Sequence, residues 1–227
     1  MLFGMLSMPL SADDNQQVRD SIKNAFPSAE ITRIRESAVP GLYEVLLGTE
    51  VVYATGDGQY MLQGDLIDLR ARTNVSEGRR TEVRRDIINT VPLDKTVTFP
   101  AQNRQYDIYV FTDTSCGYCR KLHRDVGELN RLGVSVHYLA FPRAGIDSQD
   151  YYDMEAIWCS SDKQQAMTTA KSGGQVKAGK CANPVREQYE LGKSLGVTGT
   201  PAIYLRDGRV LRGYRPPQAM LRDLGSG

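Results

Sequence analysis

Four cysteines stand at positions 116, 119, 159 and 181. The first two frame Cys116-Gly117-Tyr118-Cys119, which follows an apolar run at 106–112 that reads as a strand and opens a segment that reads as a helix. That context turns a bare two-cysteine spacing into an expectation of redox chemistry. A three-residue offset on a helical turn puts both sulfurs on one face, within disulfide reach. The first sulfur then lies at the helix N-terminus, beside N–H groups without an intrahelical partner and at the positive end of the dipole. Both features favour thiolate over thiol, so Cys116 is expected to have a lowered pKa. Cys119, one turn further in, is shielded and placed to resolve a mixed disulfide. Gly117 and Tyr118, between the sulfurs, are expected to be exposed, to touch substrate or to tune the potential. The competing reading is half of a zinc site. Zinc sites pair such a motif with a second one or with two histidines. Here the remaining cysteines are widely spaced and the histidines are His123 and His137, the latter inside a strand-like run. No metal or other cofactor is therefore expected.

Cys159 and Cys181 read most simply as a structural disulfide across a helical region, with two free buried thiols as the alternative. In the loop-entropy model a closure of this size is worth about 3 kcal/mol. A disulfide outside the motif would imply an oxidising compartment. Gly199-Thr200-Pro201 precedes a strand-like run at 202–206. Proline is tolerated at the first residue of a strand, and a cis Thr200-Pro201 bond would cost little more than trans. The backbone groups of Thr200 could then pair with an extended substrate chain lying over Cys116. His123, on the motif helix, reads as a surface or packing residue and Trp158 as core. Asp113 and Asp153 read as capping groups.

The elements that must position these residues divide the chain in two. Residues 13–75 read as a small α+β unit. Asp13 and Asp14 would cap a helix through Val18, Ile22 and Phe26, which Pro27 ends. Runs at 42–47, 51–54 and 59–63 read as strands, with Gly56-Asp57-Gly58 as a turn. Open strand edges in so small a unit invite pairing with another chain. Residues 76–92 are dense in charge of both signs and read as a solvated linker helix, with only Val83, Ile87 and Ile88 as an apolar stripe. Residues 93–227 alternate strand and helix: a central strand at 106–112, a helix over 117–132, and a strand at 134–140. A polar, mostly helical region at 148–196 follows. A hairpin turning at Asp207-Gly208 and a short helix at 217–224 complete the unit.

Composition sets the outer limits. The 227 residues are 41% hydrophobic and 24% charged, which excludes wholesale disorder. The net charge of +1 argues against a nucleic-acid-binding surface. Residues 1–12 carry no charge and end in small residues, resembling the tail of a secretory signal peptide or a disordered arm.

These residues resemble the DsbC/DsbG family of periplasmic thiol:disulfide interchange proteins. The likeness runs through Phe111-Thr112-Asp113-Thr114-Ser115-Cys116-Gly117-Tyr118-Cys119-Arg120-Lys121-Leu122-His123 and Tyr138-Leu139-Ala140-Phe141-Pro142-Arg143. It continues through Ala156-Ile157-Trp158-Cys159, Leu195-Gly196-Val197-Thr198-Gly199-Thr200-Pro201-Ala202 and Gly213-Tyr214. In the N-terminal half it rests on Asp57-Gly58, Gln63-Gly64 and Asp68-Leu69. Gly213-Tyr214 favours the DsbC branch. The resemblance implies an α/β thioredoxin-like catalytic domain with a helical insertion, plus a small α+β N-terminal dimerisation domain joined by a linker helix. It implies that Cys116 is the nucleophile, Cys119 the resolving thiol, Thr200-Pro201 a cis-proline substrate clamp and Cys159–Cys181 a structural bridge. It further implies V-shaped homodimers acting on misfolded disulfide-containing proteins, with electrons from a membrane reductase of the DsbD type. Arg120 departs from the histidine common at that position. Within the resemblance, a DsbG-like reductase of sulfenylated cysteines is one alternative to isomerisation, and a mainly redox-independent chaperone is another.

Overall fold

The computed structural model describes residues 12–225, with the side chains of residues 12–14 outside the described set. The signal-like stretch and the capping by Asp13 and Asp14 lie outside it too. The chain forms two compact units, Met1–Arg80 and Thr81–Gly227.

In the first unit, helix α1 (Ala12–Ala25) is followed by strands β1 (Ile31–Glu36), β2 (Leu42–Leu47), β3 (Glu50–Thr55) and β4 (Met61–Gln63). The four strands make one antiparallel sheet in the order β1-β2-β3-β4. Val18 and Ile22, four apart on α1, pack against Tyr43, Val45, Val52 and Ala54. A two-stranded ribbon of β5 (Ile67–Asp68) and β6 (Thr73–Asn74) leads into helix α2 (Val75–Ile88). Strand β1 is not anticipated above. Its sequence Ile-Thr-Arg-Ile-Arg-Glu is two-thirds polar, and as an edge strand it fully buries no side chain.

Helix α2 is covered at both of its ends. Within the first unit, Ser76 is buried and bonds the Tyr53 hydroxyl at 2.6 Å, while Arg79 pairs with Glu44 at 3.3 Å. Within the second, Ile88 is fully buried against Tyr109, Phe111 and Tyr204. Between these two buried residues the helix is half-buried or exposed, with Arg79 reaching Glu44 and Arg84 reaching the Gly208 carbonyl.

The second unit holds a five-stranded sheet. After a 3-10 turn at Leu93–Lys95 come β7 (Val97–Phe99), β8 (Tyr106–Thr112), α3 (Gly117–Arg124), α4 (Val126–Arg131) and β9 (Val134–Ala140). Helices α5 (Gln149–Trp158), α6 (Lys163–Lys171) and α7 (Val185–Ser194) follow, then β10 (Ala202–Leu205), β11 (Val210–Arg212) and α8 (Pro217–Gly225). The strand order is β11-β10-β8-β9-β7, with only β8 and β9 parallel. Strand β8 is buried on both faces. Ile108 and Val110 join one apolar cluster with Leu122, Met154 and Met167, and Tyr109 and Phe111 join the other. The single helix expected over 117–132 is interrupted at Asp125, whose φ of −90° and ψ of 0° end α3. The Asp125 carboxylate accepts the Tyr214 hydroxyl at 2.6 Å. Edge strand β7, three residues long, is also not anticipated.

Candidate active site

The register of β10 against β8 builds the site. Ala202 pairs with Phe111, so the segment before β10 meets the loop after β8. That loop delivers Cys116 to the N-cap of α3, where its sulfur accepts the Cys119 N–H at 3.4 Å. The preceding segment delivers Thr200, joined to Pro201 by a cis peptide bond. The Cys116 thiol donates to the Thr200 carbonyl at 3.2 Å. Cys116 is thus 4% exposed, Cys119 1%, and Tyr118 65%. A Cβ built on Gly117 would meet nothing within 4 Å. The motif therefore shows an open Gly117-Tyr118 edge and a Cys116 sulfur tucked under Thr200.

The two sulfurs differ electrostatically. Burial pushes the Cys116 thiol up, but Thr200, the Cys119 amide and thiol, and the Arg143 guanidinium outweigh it, and the net shift is downward. The Thr200 hydroxyl is buried without a hydrogen-bond partner, a donor available to a thiolate. Burial also pushes Cys119 up, and there it wins over Lys171, Thr112 and the Asp113 backbone. The outer sulfur is the better thiolate and the inner one the better-protected thiol.

Asp113 locks the loop. Its fully buried carboxylate accepts the Ser115 N–H and hydroxyl, both at 2.7 Å, and the Arg143 N–H at 2.8 Å and Nε at 3.1 Å. Burial pushes the carboxyl up, but these bonds from Arg143 and Ser115 hold it below its ordinary value. The Ser115 hydroxyl also reaches Asp150 at 2.9 Å. A polar cleft of about 460 Å³ opens beside it, lined by Arg120, Asp150, Asp153 and Lys177 among others.

Neither histidine bonds a cysteine. His137 lies between Asp107 and Thr98, each at 2.9 Å. His123 packs inside, between the hydroxyls of Tyr138 and Thr168, each at 3.1 Å. Burial, helped by Lys171, brings His123 down to about 4. Because the unfolded chain takes up this proton first, stability contributed by neutral His123 is intact above pH ~6.5 and drains away as pH falls toward ~4. Unfolding in denaturant at pH ~4.5 is expected to show about 2–3 kcal/mol less stability from this group than at pH ~7. His123→Gln should flatten that slope, and an unchanged slope would contradict the assignment.

Cys159 and Cys181 are joined, with an S–S distance of 2.03 Å, tying the end of α5 to the segment before α7. Trp158 is buried and donates to the Lys95 carbonyl at 2.7 Å. Two features escaped the sequence reading: the Asp113–Arg143 lock, and Lys171, buried beneath the motif although it ends a polar helix. Nothing local marks Lys171, since a lysine in a last helical turn ordinarily faces water.

Comparisons with known proteins follow the same division. Residues 94–225 match the family model of a thioredoxin-like domain, and residues 9–77 match that of the disulfide bond isomerase protein N-terminal domain. The thiol:disulfide interchange protein DsbC of Dickeya dadantii is 38% identical over 231 residues, spanning 99% of this chain and 93% of that one. The DsbC of Escherichia coli K12 is 36% identical over 223 residues, 97% of this chain and 92% of its own. Among solved structures, a disulfide interchange protein from Neisseria gonorrhoeae superposes with a TM-score of 0.53 at 28% identity, covering 59% of this chain and 97% of that one. With family models over both halves and relatives of this identity along nearly its whole length, the chain belongs to the DsbC family of thiol:disulfide interchange proteins.

Proposed function

We propose that this protein is a dimeric disulfide isomerase and reductase of the bacterial periplasm, acting on misfolded disulfide-containing proteins. The observation that carries the reading is the Cys116 sulfur, capped by the Cys119 N–H and facing Thr200. The Cys116 thiolate attacks one sulfur of a substrate disulfide and forms a mixed disulfide, and the other substrate sulfur leaves as thiolate. A substrate thiolate can then displace Cys116, so the substrate is rearranged and the enzyme returns reduced. Alternatively Cys119 attacks Cys116, the substrate is reduced by two electrons, and the enzyme leaves as the Cys116–Cys119 disulfide. Re-reduction then falls to a membrane reductase of the DsbD type. Thr200-Pro201 and the open edge at Gly117-Tyr118 would receive the substrate backbone.

The Cys159–Cys181 bond supports an oxidising compartment. Among the described residues no helix is long and apolar enough to cross a membrane. Homodimerisation is supported by edge strand β4, whose residues are all exposed, with Tyr60 beside it and Leu62 and Met61 on it. An unpaired apolar edge of this kind is what a second copy would cover.

The test is refolding of a scrambled multi-disulfide substrate in glutathione buffer. The full chain should restore substrate activity, and Cys116→Ala should lose at least about 100-fold of that rate, since the thiolate is the attacking group. Repair undiminished in Cys116→Ala would sink the assignment. Loss of repair with aggregation suppression retained would mean that chaperone activity accompanies it. Reduction of simple disulfides without repair would point instead to a reductase of sulfenylated cysteines.

A further inference from the structure

Beneath the motif lies a charged group that the exchange chemistry above does not use. Lys171, the last residue of α6, is 5% exposed. Its Nζ donates to the Thr112 hydroxyl at 2.6 Å and to the Asp113 carbonyl at 2.7 Å. Those two residues end β8 and begin the loop to Cys116. Cys119, 1% exposed in the first turn of the helix that this loop opens, feels the same groups: Lys171, the Thr112 hydroxyl and the Asp113 backbone all favour its thiolate. Two donations satisfy both N–H groups of a neutral amine and leave its lone pair free. The Thr112 hydroxyl, accepting from Lys171, keeps its own proton to offer to the Cys119 sulfur.

We propose that Lys171 is the general base that takes the Cys119 proton as the resolving sulfur attacks and returns it when the enzyme is re-reduced. The proposal rests on Cys119 being the resolving thiol. In the forward step, the proton of the Cys119 S–H moves to Lys171 Nζ, directly or across the Thr112 hydroxyl. The Cys119 sulfur forms a bond to Cys116 Sγ, and the bond from Cys116 to the substrate sulfur breaks. The substrate sulfur leaves with the electron pair as a thiolate and is protonated by water. The enzyme pair is oxidised, the substrate is reduced, and Lys171 carries the charge in the interior.

The surroundings suit a group that works in both states. Burial brings Lys171 down to about 8, against the pull of Cys119, Asp113 and Cys116, while Arg120 adds to the lowering. Charged and neutral amine are therefore both accessible near neutral pH. From β9, Tyr138 presents its ring 6.0 Å from Nζ. From α3, His123 is held neutral by burial and by Lys171 itself, so it does not compete for the proton. The carboxylate of Asp113 is committed to Ser115 and Arg143. Lys171 is thus the group in this pocket able to change charge as Cys119 does.

The test uses the full reduced chain mixed with excess Ellman's reagent, which releases one thionitrobenzoate on attack by Cys116 and a second on resolution by Cys119. Lys171→Met keeps the apolar stem and removes the amine. The second release is expected to slow about tenfold near pH ~7, with the first changed less than about twofold, and its pH profile should move up by about one unit. A second release of normal rate and normal pH profile in Lys171→Met overturns the proposal. Cys119→Ala is run beside it. If that variant also gives a normal second release, the resolving role of Cys119 fails and takes the proposal with it. If it traps the mixed disulfide while Lys171→Met does not slow, only the role of Lys171 fails. Should Lys171→Met not fold, the Lys171 amine is titrated by NMR in the native reduced chain and in Cys119→Ala. Loss of Cys119 should lower the Lys171 pKa, and an unchanged titration overturns the proposal.

Discussion

Cys119→Ala is expected to lengthen the life of mixed disulfides at Cys116 by about 100-fold or more. On the proposed roles, resolution is an intramolecular attack by a sulfur held one helical turn away. Such neighbours act at effective concentrations far above those of any free thiol, with about 10⁵ M reached in well-oriented cases. Without Cys119, release must wait for a thiol from substrate or buffer, each entering past Thr200, which already sits against the Cys116 sulfur. The adduct should be visible as a high-mass band on a non-reducing gel after acid quench, and should vanish on reduction. Isomerisation should survive in part, because a substrate thiol can still displace Cys116. Absence of an accumulated adduct, with Cys116 still reactive toward simple disulfides, would remove Cys119 from the resolving step.

Gly208→Ala is expected to destabilise the second unit by about 2–5 kcal/mol. Gly208 closes the β10–β11 turn at φ +90°, where a side chain costs roughly 1–2 kcal/mol. A Cβ there would also lie 1.9 Å from the Thr81 carbonyl oxygen and 2.8 Å from the Arg85 nitrogen on α2. Both are helix backbone atoms that cannot rotate aside, so the helix must be pushed off the turn, adding about 1–3 kcal/mol. The shift would strain the Arg84 bond to the Gly208 carbonyl and the Asn89 bond to the Arg206 carbonyl, each 3.1 Å. Gly173→Ala is the control, since it also has positive φ, +86°, but nothing within 4 Å of the added carbon. It should lose only the conformational part. A thermal melt should place Gly208→Ala about 10 °C lower. Equal losses in the two variants would show that the close approach of α2 to the turn contributes nothing.

Residues close together in the chain declared themselves without the fold. Cys116 and Cys119 needed only a three-residue spacing and a strand before them, because helix geometry alone sets which side chains share a face. The central strand at Tyr106–Thr112 was marked by its apolar run, and the Asp207-Gly208 turn by its dipeptide. Edge strands β1 and β7 left no such mark. Strand β1 buries little, so its composition need not be apolar, and β7, with Val97 in the core, is only three residues long, too short to show a period; pairing across the sheet defines both. Helix α2 displayed its charges and its thin apolar stripe, but not the burial of Ser76 on the Tyr53 hydroxyl, 23 positions away.

The environment of the sulfurs was likewise beyond any local signal. Thr200 lies 84 positions from the Cys116 that it covers, and Lys171 lies 59 positions from the Thr112 hydroxyl to which it donates. Helix periodicity and dipole depend on neighbours within a turn, so the order of amino acids alone is enough to single out the cysteine pair and to propose the N-terminal sulfur as the nucleophile. Burial and desolvation depend on which distant segments close over a group. The tucked position of Cys116, the raised pKa of Cys119 and the buried amine beneath them were therefore decided only when β10 and α6 packed beside β8.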